Sequence, residues 1–509
     1  CGIVGSYTYC GVPDFISSQD RLLDDLLHRG PDSRAWKVFT LEKGSLYFGH
    51  TRLSILDLSD TGAQPMSTAC GRYTITYNGE IYNFKELKQE LQNLGHALRG
   101  NSDTEVLLYC WKEWGARSLE KVEGMFAFVI YDSHLEKLYC CRDAFGIKPF
   151  FYSKRDDGFF FSSEIKSLIN VSNTHPKMSE LVAYEYIYTG KHDDSEQSFY
   201  EGITKLEPGF VLELDLRKRN LEIEKYAWFD CSLSTNHDLT FKETADALRE
   251  MFLESVDLHL RSDVPVGAAL SGGLDSSAIV CCMRYLYPDL DLHTFSFIPD
   301  SKAINEENWI DLINKKTGAQ SHKVRLNGKD LLKDLDLLIE HQGEPFATSS
   351  IYAQFKVFEL AKENGIKVSL DGQGADELFG GYEGYPLNVI RSLYRGSGFR
   401  DLLSFIYSWP KGSNRKYSSL LKVLLNSVLG DEKFNKLKSP LRLGGSKSWL
   451  SRTERIKELE ENRYLQRIES AGGFDFGLRE QLSDELVRSR IPRLLRYKDR
   501  NSMAHSVET

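Results

Sequence analysis

The sequence predicts a chain in two unlike parts, a strand-rich α+β half followed by an α/β half. Three observations carry this. The segments Tyr73–Tyr77, Phe126–Tyr131 and Lys137–Cys141 carry the residue pattern of strands. Val266 to Leu270 reads as a buried strand that enters Ser271-Gly272-Gly273-Leu274-Asp275-Ser276-Ser277, after which apolar Ala278 to Met283 suits a helix. Lys367-Val368-Ser369-Leu370 is a further strand that leads into a second glycine-rich, acidic stretch, Asp371 to Tyr382.

Composition bounds the possibilities. With 509 residues the chain has room for two to four domains at roughly 150 residues each. Apolar residues make up 41% and charged residues 27%, which excludes a disordered or fibrous protein. The longest apolar runs, such as Met125 to Tyr131, are far too short for a bilayer span, so no membrane partner is expected. The net charge of −9 argues against nucleic acid as a partner. The nine cysteines are odd in number and form no CxxC pair, and no signal peptide is recognisable. Reduced thiols in a cytoplasmic protein are the expectation, with the cysteines after the first read as small buried apolar groups.

The first residue is the exception. Numbering begins at Cys1 rather than Met, so removal of the initiator is expected. A free amino-terminal cysteine joins a thiol to an α-amine whose ordinary pKa is about 7.7, so the amine can act as general base for its own thiol. Cys1-Gly2-Ile3-Val4-Gly5 reads as a short strand. Downstream stand Arg52-Leu53-Ser54-Ile55, Tyr77-Asn78-Gly79-Glu80-Ile81-Tyr82-Asn83 and Ser102-Asp103-Thr104-Glu105. An amide hydrolase acting on glutamine needs a nucleophile, an oxyanion hole, a cation for the α-carboxylate and an anion for the α-ammonium. Cys1, the Asn78 amide with the Gly79 N–H, Arg52, and Asp103 with Glu80 nearby supply these types.

Together these residues resemble the class II glutamine amidotransferases, the N-terminal-nucleophile glutaminases, from Cys1 to about Asp215. Arg142-Asp143-Ala144-Phe145-Gly146-Ile147-Lys148-Pro149 and Phe161-Ser162-Ser163-Glu164-Ile165-Lys166 extend the likeness. The resemblance implies an αββα sandwich, with Ile55 joining Arg52, Asn78, Glu80 and Asp103 around glutamine.

In the second half, Ala245, Leu248, Phe252, Val256 and Leu260 recur at helical spacing before Pro265 breaks the pattern. The heptad from Ser271 to Ser277 then places glycine N–H groups, three hydroxyls and a helix N-terminus where an anion would sit. Asp275 in such a loop fits a bound cation, and Mg²⁺ on pyrophosphate supplies one. The loop lacks the Gly-Lys-Ser/Thr of a Walker A motif and looks like the pyrophosphatase loop of enzymes that adenylate a substrate with ATP. Asp376, in the second acidic cluster, is the expected second Mg²⁺ contact. A third piece is Leu494 to Glu508, including Arg500-Asn501-Ser502-Met503-Ala504-His505-Ser506-Val507-Glu508.

Taken with the first half, these motifs resemble the glutamine-hydrolysing asparagine synthetases of the bacterial B type over nearly the whole chain. The resemblance implies a doubly wound α/β adenylating domain with a helical extension. It implies ATP and pyrophosphate contacts at Leu270, Ser271, Gly272, Gly273, Asp275, Ser276, Ser277, Phe297, Asp371 and Gly372, and a tunnel that carries ammonia from Cys1 to an acyl-adenylate. The expected partners are glutamine, ATP and a carboxylate acceptor, with aspartate first. A homodimer is compatible with the chain, but no interface can be read from it.

One position departs from the family. A carboxylate usually stands where this chain has Gln373, and glutamine cannot be a base. From Gly384 to Leu450 there are 12 Lys and Arg against 3 Asp and Glu, in a stretch read as helical at Asn388–Tyr394, Leu402–Trp409 and Leu420–Leu429. Both features keep open a different anionic acceptor, such as a nucleotide-linked uronic acid of surface-polysaccharide synthesis. A regulatory protein without synthesis is disfavoured by the intact heptad. The expected organisation is a glutaminase domain at 1–215, a linker at 216–238 with its polar core at Ser232 to Asp238, and a synthetase domain at 239–509. The family motif continues past Ser506-Val507-Glu508, so the chain is expected to be part of a longer polypeptide whose adenylation lysine lies beyond Thr509.

Overall fold

The computed structural model describes residues 1–9, 19–190, 192–218, 220–231, 239–301, 305–382, 384–396, 399–408 and 477–509. The expected linker core Ser232 to Asp238, Cys10, and the expected helix Leu420–Leu429 lie outside the described residues.

The first half is built from two six-stranded sheets. One has the order β10-β8-β9-β1-β3-β2, with β1 (Gly2–Thr8), β2 (Ser33–Leu41), β3 (Gly44–Arg52), β8 (Phe151–Arg155), β9 (Gly158–Ser162) and β10 (Thr204–Lys205). The other runs β12-β11-β7-β6-β5-β4, with β4 (Met66–Ser67), β5 (Tyr73–Ile81), β6 (Gly124–Asp132), β7 (Lys137–Arg142), β11 (Phe210–Asp215) and β12 (Ile223–Ala227). Every pairing within these two sheets is antiparallel.

The strands expected at Tyr73–Tyr77, Phe126–Tyr131 and Lys137–Cys141 are the centre of the second sheet. Because successive side chains point to opposite faces, each strand feeds two apolar layers. Ile3, Tyr7 and Phe48 from the first sheet meet Ala127, Val129, Leu138 and Leu212 from the second, and this layer is the middle of the sandwich. On the outer face of the second sheet, Ile75, Tyr77 and Phe128 meet Leu87 and Leu91 of the helix Phe84–Asn93, and Val106 and Leu107 of the helix Asp103–Trp114. On the outer face of the first, Val4 and Tyr47 meet Leu168 and Val171 of the helix Ile165–Ser172. The layers are therefore αββα.

Ile223–Ala227, placed in the linker above, instead pairs with β11 from Leu214↔Ile223 to Phe210↔Ala227. The strand gives the backbone groups along β11 a partner, so the sandwich extends to that point.

The second half carries a four-stranded parallel sheet in the order β15-β14-β13-β16. Its strands are β13 (Val266–Ala269), β14 (His293–Phe297), β15 (Gln320–Val324) and β16 (Val368–Leu370). The chain winds outward through β13, β14 and β15, with the helices Leu274–Leu286 and Glu307–Thr317 as crossovers. It then returns through Gly328–Gln342 and Ser350–Glu363 to place β16 on the other side of β13. That reversal is the switch point of a doubly wound fold, where the crevice beyond the strand ends binds ligands. Pro386–Gly396 and Phe399–Ser408 are the described helices of the extension. None of the described helices is long and apolar enough to cross a membrane.

Candidate active sites

β1 begins immediately after Cys1 and runs between β3 and β9, so the terminal residue is held by a sheet centre. The backbone N–H of Leu53, just past β3, donates to the Cys1 Sγ at 3.4 Å. Arg29 Nε donates to the Cys1 carbonyl at 2.9 Å. The α-amine sees Met503 Sδ at 3.8 Å and Glu508 Oε2 at 4.0 Å, both from the end of the second half. Burial drives the amine's pKa down to about 5, with Glu508 opposing and Arg29 and Lys148 reinforcing. The amine is therefore neutral at pH 7, as a base for the thiol must be.

Asn78 and Glu80 lie on one face of β5. Asn78 is fully buried, and neither end of its amide has a hydrogen-bond partner among the described residues. A buried polar group left unpaired is costly, so such an amide in a fold is usually held for a ligand. Gly79 is required by space: a Cβ there would lie 2.1 Å from the Met125 carbonyl oxygen. Burial, then the neighbouring charges of Asp103 and Glu508, push the Glu80 carboxyl well up. Burial likewise lifts Asp103 to about 6, against three donors (Ile81 N–H at 3.0 Å, the Tyr77 hydroxyl at 2.9 Å and Thr104 N–H at 2.8 Å) and the charge of Arg52. Two crowded acids form a pocket that welcomes a cation.

Arg52 does more than face this pocket. Its guanidinium donates to the carbonyls of Ser59 (2.8 Å), Leu56 (3.3 Å) and Asp57. It thereby shapes the turn after β3, which also seats buried Ile55, and keeps two N–H groups in hand.

At the second site, Leu270 closes β13 by donating to the Phe295 carbonyl at 2.9 Å. The loop then folds on its own hydroxyls. Ser271 and Ser276 Oγ atoms lie 3.0 Å apart, Ser271 N–H donates to Ser276 Oγ at 3.2 Å, and Gly273 N–H to Ser271 Oγ at 3.3 Å. Gly272 has a left-handed φ of 88°, which opens the loop without a Cβ penalty. Ser277 caps back to the Gly273 carbonyl in the first turn of Leu274–Leu286.

The loop after β16 approaches closely: a Cβ on Gly372 would sit 3.0 Å from Asp275 Cβ and 3.2 Å from Ser276 N. Burial and the charge of Asp376 both raise the Asp275 carboxyl, so the two acids share one field. They are a fitting pair of hard oxygen donors for Mg²⁺, whose other positions are commonly filled by water and phosphate. No cluster of three or more metal-ligating side chains occurs among the described residues.

Asp371 is engaged by Lys498 Nζ at 2.6 Å and by the Gln373 N–H at 3.0 Å. Gln373 is itself exposed. Phe297 ends β14 half-buried against Val357 and Phe358, at the same end of the sheet as the loop.

Lys148, Asp499, Arg500 and Glu508 stand inside the motifs that carry the resemblance but have no role legible from spacing, and Arg29 stands outside those motifs. These are among the charges that join the halves. Arg29 binds Asp499 with two bonds of 2.8 Å and donates to Glu164 at 3.0 Å. Arg500 Nη1 lies 2.8 Å from Glu164, and Lys148 pairs with Glu508. Their signal was present as charged residues inside apolar motifs. Cys70, expected to be buried, is exposed in the turn after β4.

Both parts of the chain match known protein families. Residues 1–227 match the glutamine amidotransferase domain family, and residues 247–509 match the asparagine synthase family. Asparagine synthetase [glutamine-hydrolyzing] 1 of Bacillus subtilis (strain 168) is 31% identical over 82% of this chain and 65% of its own length. Putative asparagine synthetase [glutamine-hydrolyzing] 2 of Methanocaldococcus jannaschii is 34% identical over 77% of this chain and 78% of its own. Asparagine synthetase [glutamine-hydrolyzing] 3 of B. subtilis is 33% identical over 74% and 62%. The chain thus spans less than two thirds of the length of these two Bacillus relatives.

Proposed function

The chain belongs to the asparagine synthase family, and from that premise we propose that it makes an amide from a carboxylate, using glutamine as nitrogen donor and ATP as activator. Aspartate is the proposed acceptor and asparagine the product, with AMP, pyrophosphate and glutamate released. The observation that supports this most is the buried Asn78 amide, which has no partner among the described residues and stands two residues before Glu80 on the same face of β5.

In this reading the Cys1 thiol gives its proton to the neutral α-amine, and the thiolate attacks the glutamine carboxamide carbon. Asn78 and the Gly79 N–H receive the negative oxygen. The α-ammonium returns a proton to the leaving nitrogen, ammonia departs, and water releases glutamate from the thioester. Asp103 and Glu80 hold the substrate ammonium, and Arg52 its carboxylate.

At the second site the acceptor carboxylate attacks the α-phosphorus of ATP as the bond to pyrophosphate breaks, giving an acyl-adenylate, and the loop Ser271 to Ser277 with the helix start receives the pyrophosphate. Asp275 and Asp376 would hold Mg²⁺, which when bound offsets charge on the leaving pyrophosphate. Ammonia then displaces AMP from the acyl-adenylate. One apolar cluster contains Met503 and partly buried Cys1, Val264 and Val368. An uncharged molecule can cross such a layer at little cost, which supports a direct route for ammonia between the sites.

The test is mass spectrometry of products formed from ATP, Mg²⁺, glutamine and a panel of aspartate and uronic-acid nucleotides. Asparagine with matching AMP supports the proposal, and an amide formed only from another acceptor would reassign the substrate.

A further inference from the structure

Glu508 is buried, and its backbone belongs to the second half: its N–H donates to the Lys367 carbonyl and its carbonyl accepts from Ser369 N–H, each at 2.8 Å, alongside β16. Its side chain crosses to the first half. One carboxylate oxygen faces the Cys1 amine at 4.0 Å, and the other takes Lys148 from the loop after β7.

We propose that Glu508 is a positioning residue for the glutaminase reaction, setting the proton affinity of the Cys1 amine across the domain boundary with Lys148 as its counterweight. The inference rests on the reading of Cys1 as nucleophile. During the reaction the amine takes the thiol proton and later gives it to the leaving nitrogen. A neighbouring carboxylate favours the ammonium state, and a neighbouring lysine disfavours it. The pair sets how readily the proton is taken up and given back.

Glu508 and Asp499 favour the ammonium, whereas Arg29 and Lys148 oppose it. From the adjoining strands, Glu80 on β5 and His50 on β3 also feel the amine's charge. His50 is buried, with Nε2 3.0 Å from the Tyr77 carbonyl, and burial keeps it neutral by lowering its pKa to about 3. Glu80 faces the substrate ammonium. Arg29 and Asp499 neutralise each other through their two-bond contact. Glu508 and Lys148 are the pair in which each member can be altered without stripping that contact.

The second half therefore enters the first reaction electrostatically. Glu508 keeps its place only while its backbone lies against Lys367 and Ser369, on the strand that leads into Asp371, Gly372 and Asp376. A shift of that strand alters the field at Cys1.

The test is the pH dependence of glutaminase kcat at saturating glutamine, where the acid limb reports the amine in the substrate complex. In the full chain, Glu508→Gln should move that limb down by about one unit and Lys148→Gln should move it up by about one unit. The double variant should fall between them. A packing role would change kcat without moving the limb in opposite senses. Limbs that stay put, or that move together, overturn the inference while leaving the nucleophile assignment intact. Thermal unfolding checks each variant. If E508Q does not fold, K148Q decides alone, and an unmoved or lowered limb overturns the proposal. A wild-type chain without glutaminase activity at any pH would overturn the functional reading itself.

Discussion

Arg29 and Asp499 face each other in two hydrogen bonds of 2.8 Å, although 470 residues separate them in the chain. Both are buried, and Arg29 also holds the Cys1 carbonyl, so the nucleophile is positioned by a contact that exists only when the halves are docked. Arg29→Ala would leave Asp499 as a buried carboxylate without its two-bond partner, while Glu164 keeps Arg500 and His28. A loss of about 3–5 kcal/mol in stability is expected, together with loss of glutaminase activity. Urea unfolding and glutamate release measure the two effects, and unchanged stability would contradict the buried pairing.

Cys1→Ala should abolish glutamine-dependent synthesis and leave synthesis from free ammonia. The substitution is small and removes only the thiol, while the amine, Arg29 and the second half keep their contacts. Glutamate production by a clean Cys1→Ala protein would contradict the assignment.

Asp103 gives the glutamine site a pH signature. Its carboxyl is raised to about 6 by burial, so below that pH the free enzyme holds it protonated and uncharged. Binding of the substrate ammonium needs the carboxylate, so kcat/KM for glutamine should fall as pH drops through about 6, through KM rather than kcat. Asp103→Asn should raise KM by roughly tenfold or more, a loss of about 1.4 kcal/mol, and remove that step. An unchanged KM would remove Asp103 from the site.

Asp275→Ala or Asp376→Ala should abolish ATP-dependent pyrophosphate release while some glutaminase activity remains. The two carboxylates share one field at the switch point of the parallel sheet, so losing either leaves a single protein ligand for a cation. Normal pyrophosphate release by both variants would contradict the Mg²⁺ assignment.

Much of this was legible in the sequence. Strand alternation located β5, β6 and β7, and Ser271 to Ser277 marked a strand–loop–helix because glycine, serine and aspartate there have few other uses. Spacing could not reveal partners hundreds of residues apart. Arg29 reads as one basic residue beside His28 until the fold brings Asp499 to it. Glu508 reads as the end of a motif until its backbone docks on β16 and its side chain turns toward Cys1. The edge strand Ile223–Ala227 was hidden for a different reason. Its residues are mostly exposed, so it lacks the burial pattern that betrays inner strands. Gln373 remains a departure from the family pattern, and the neighbouring carboxylate of Asp371 is bound by Lys498.

In the proposed reaction, nitrogen released at Cys1 reaches an ATP-activated carboxylate on the same chain. The most direct measurement supplies glutamine labelled with ¹⁵N in its amide, ATP, Mg²⁺ and aspartate, with unlabelled ammonium in the buffer. Asparagine carrying the label in its side-chain amide is expected, with one AMP and one pyrophosphate formed per asparagine. Unlabelled asparagine, or labelled ammonia accumulating without any amide or pyrophosphate, would contradict it.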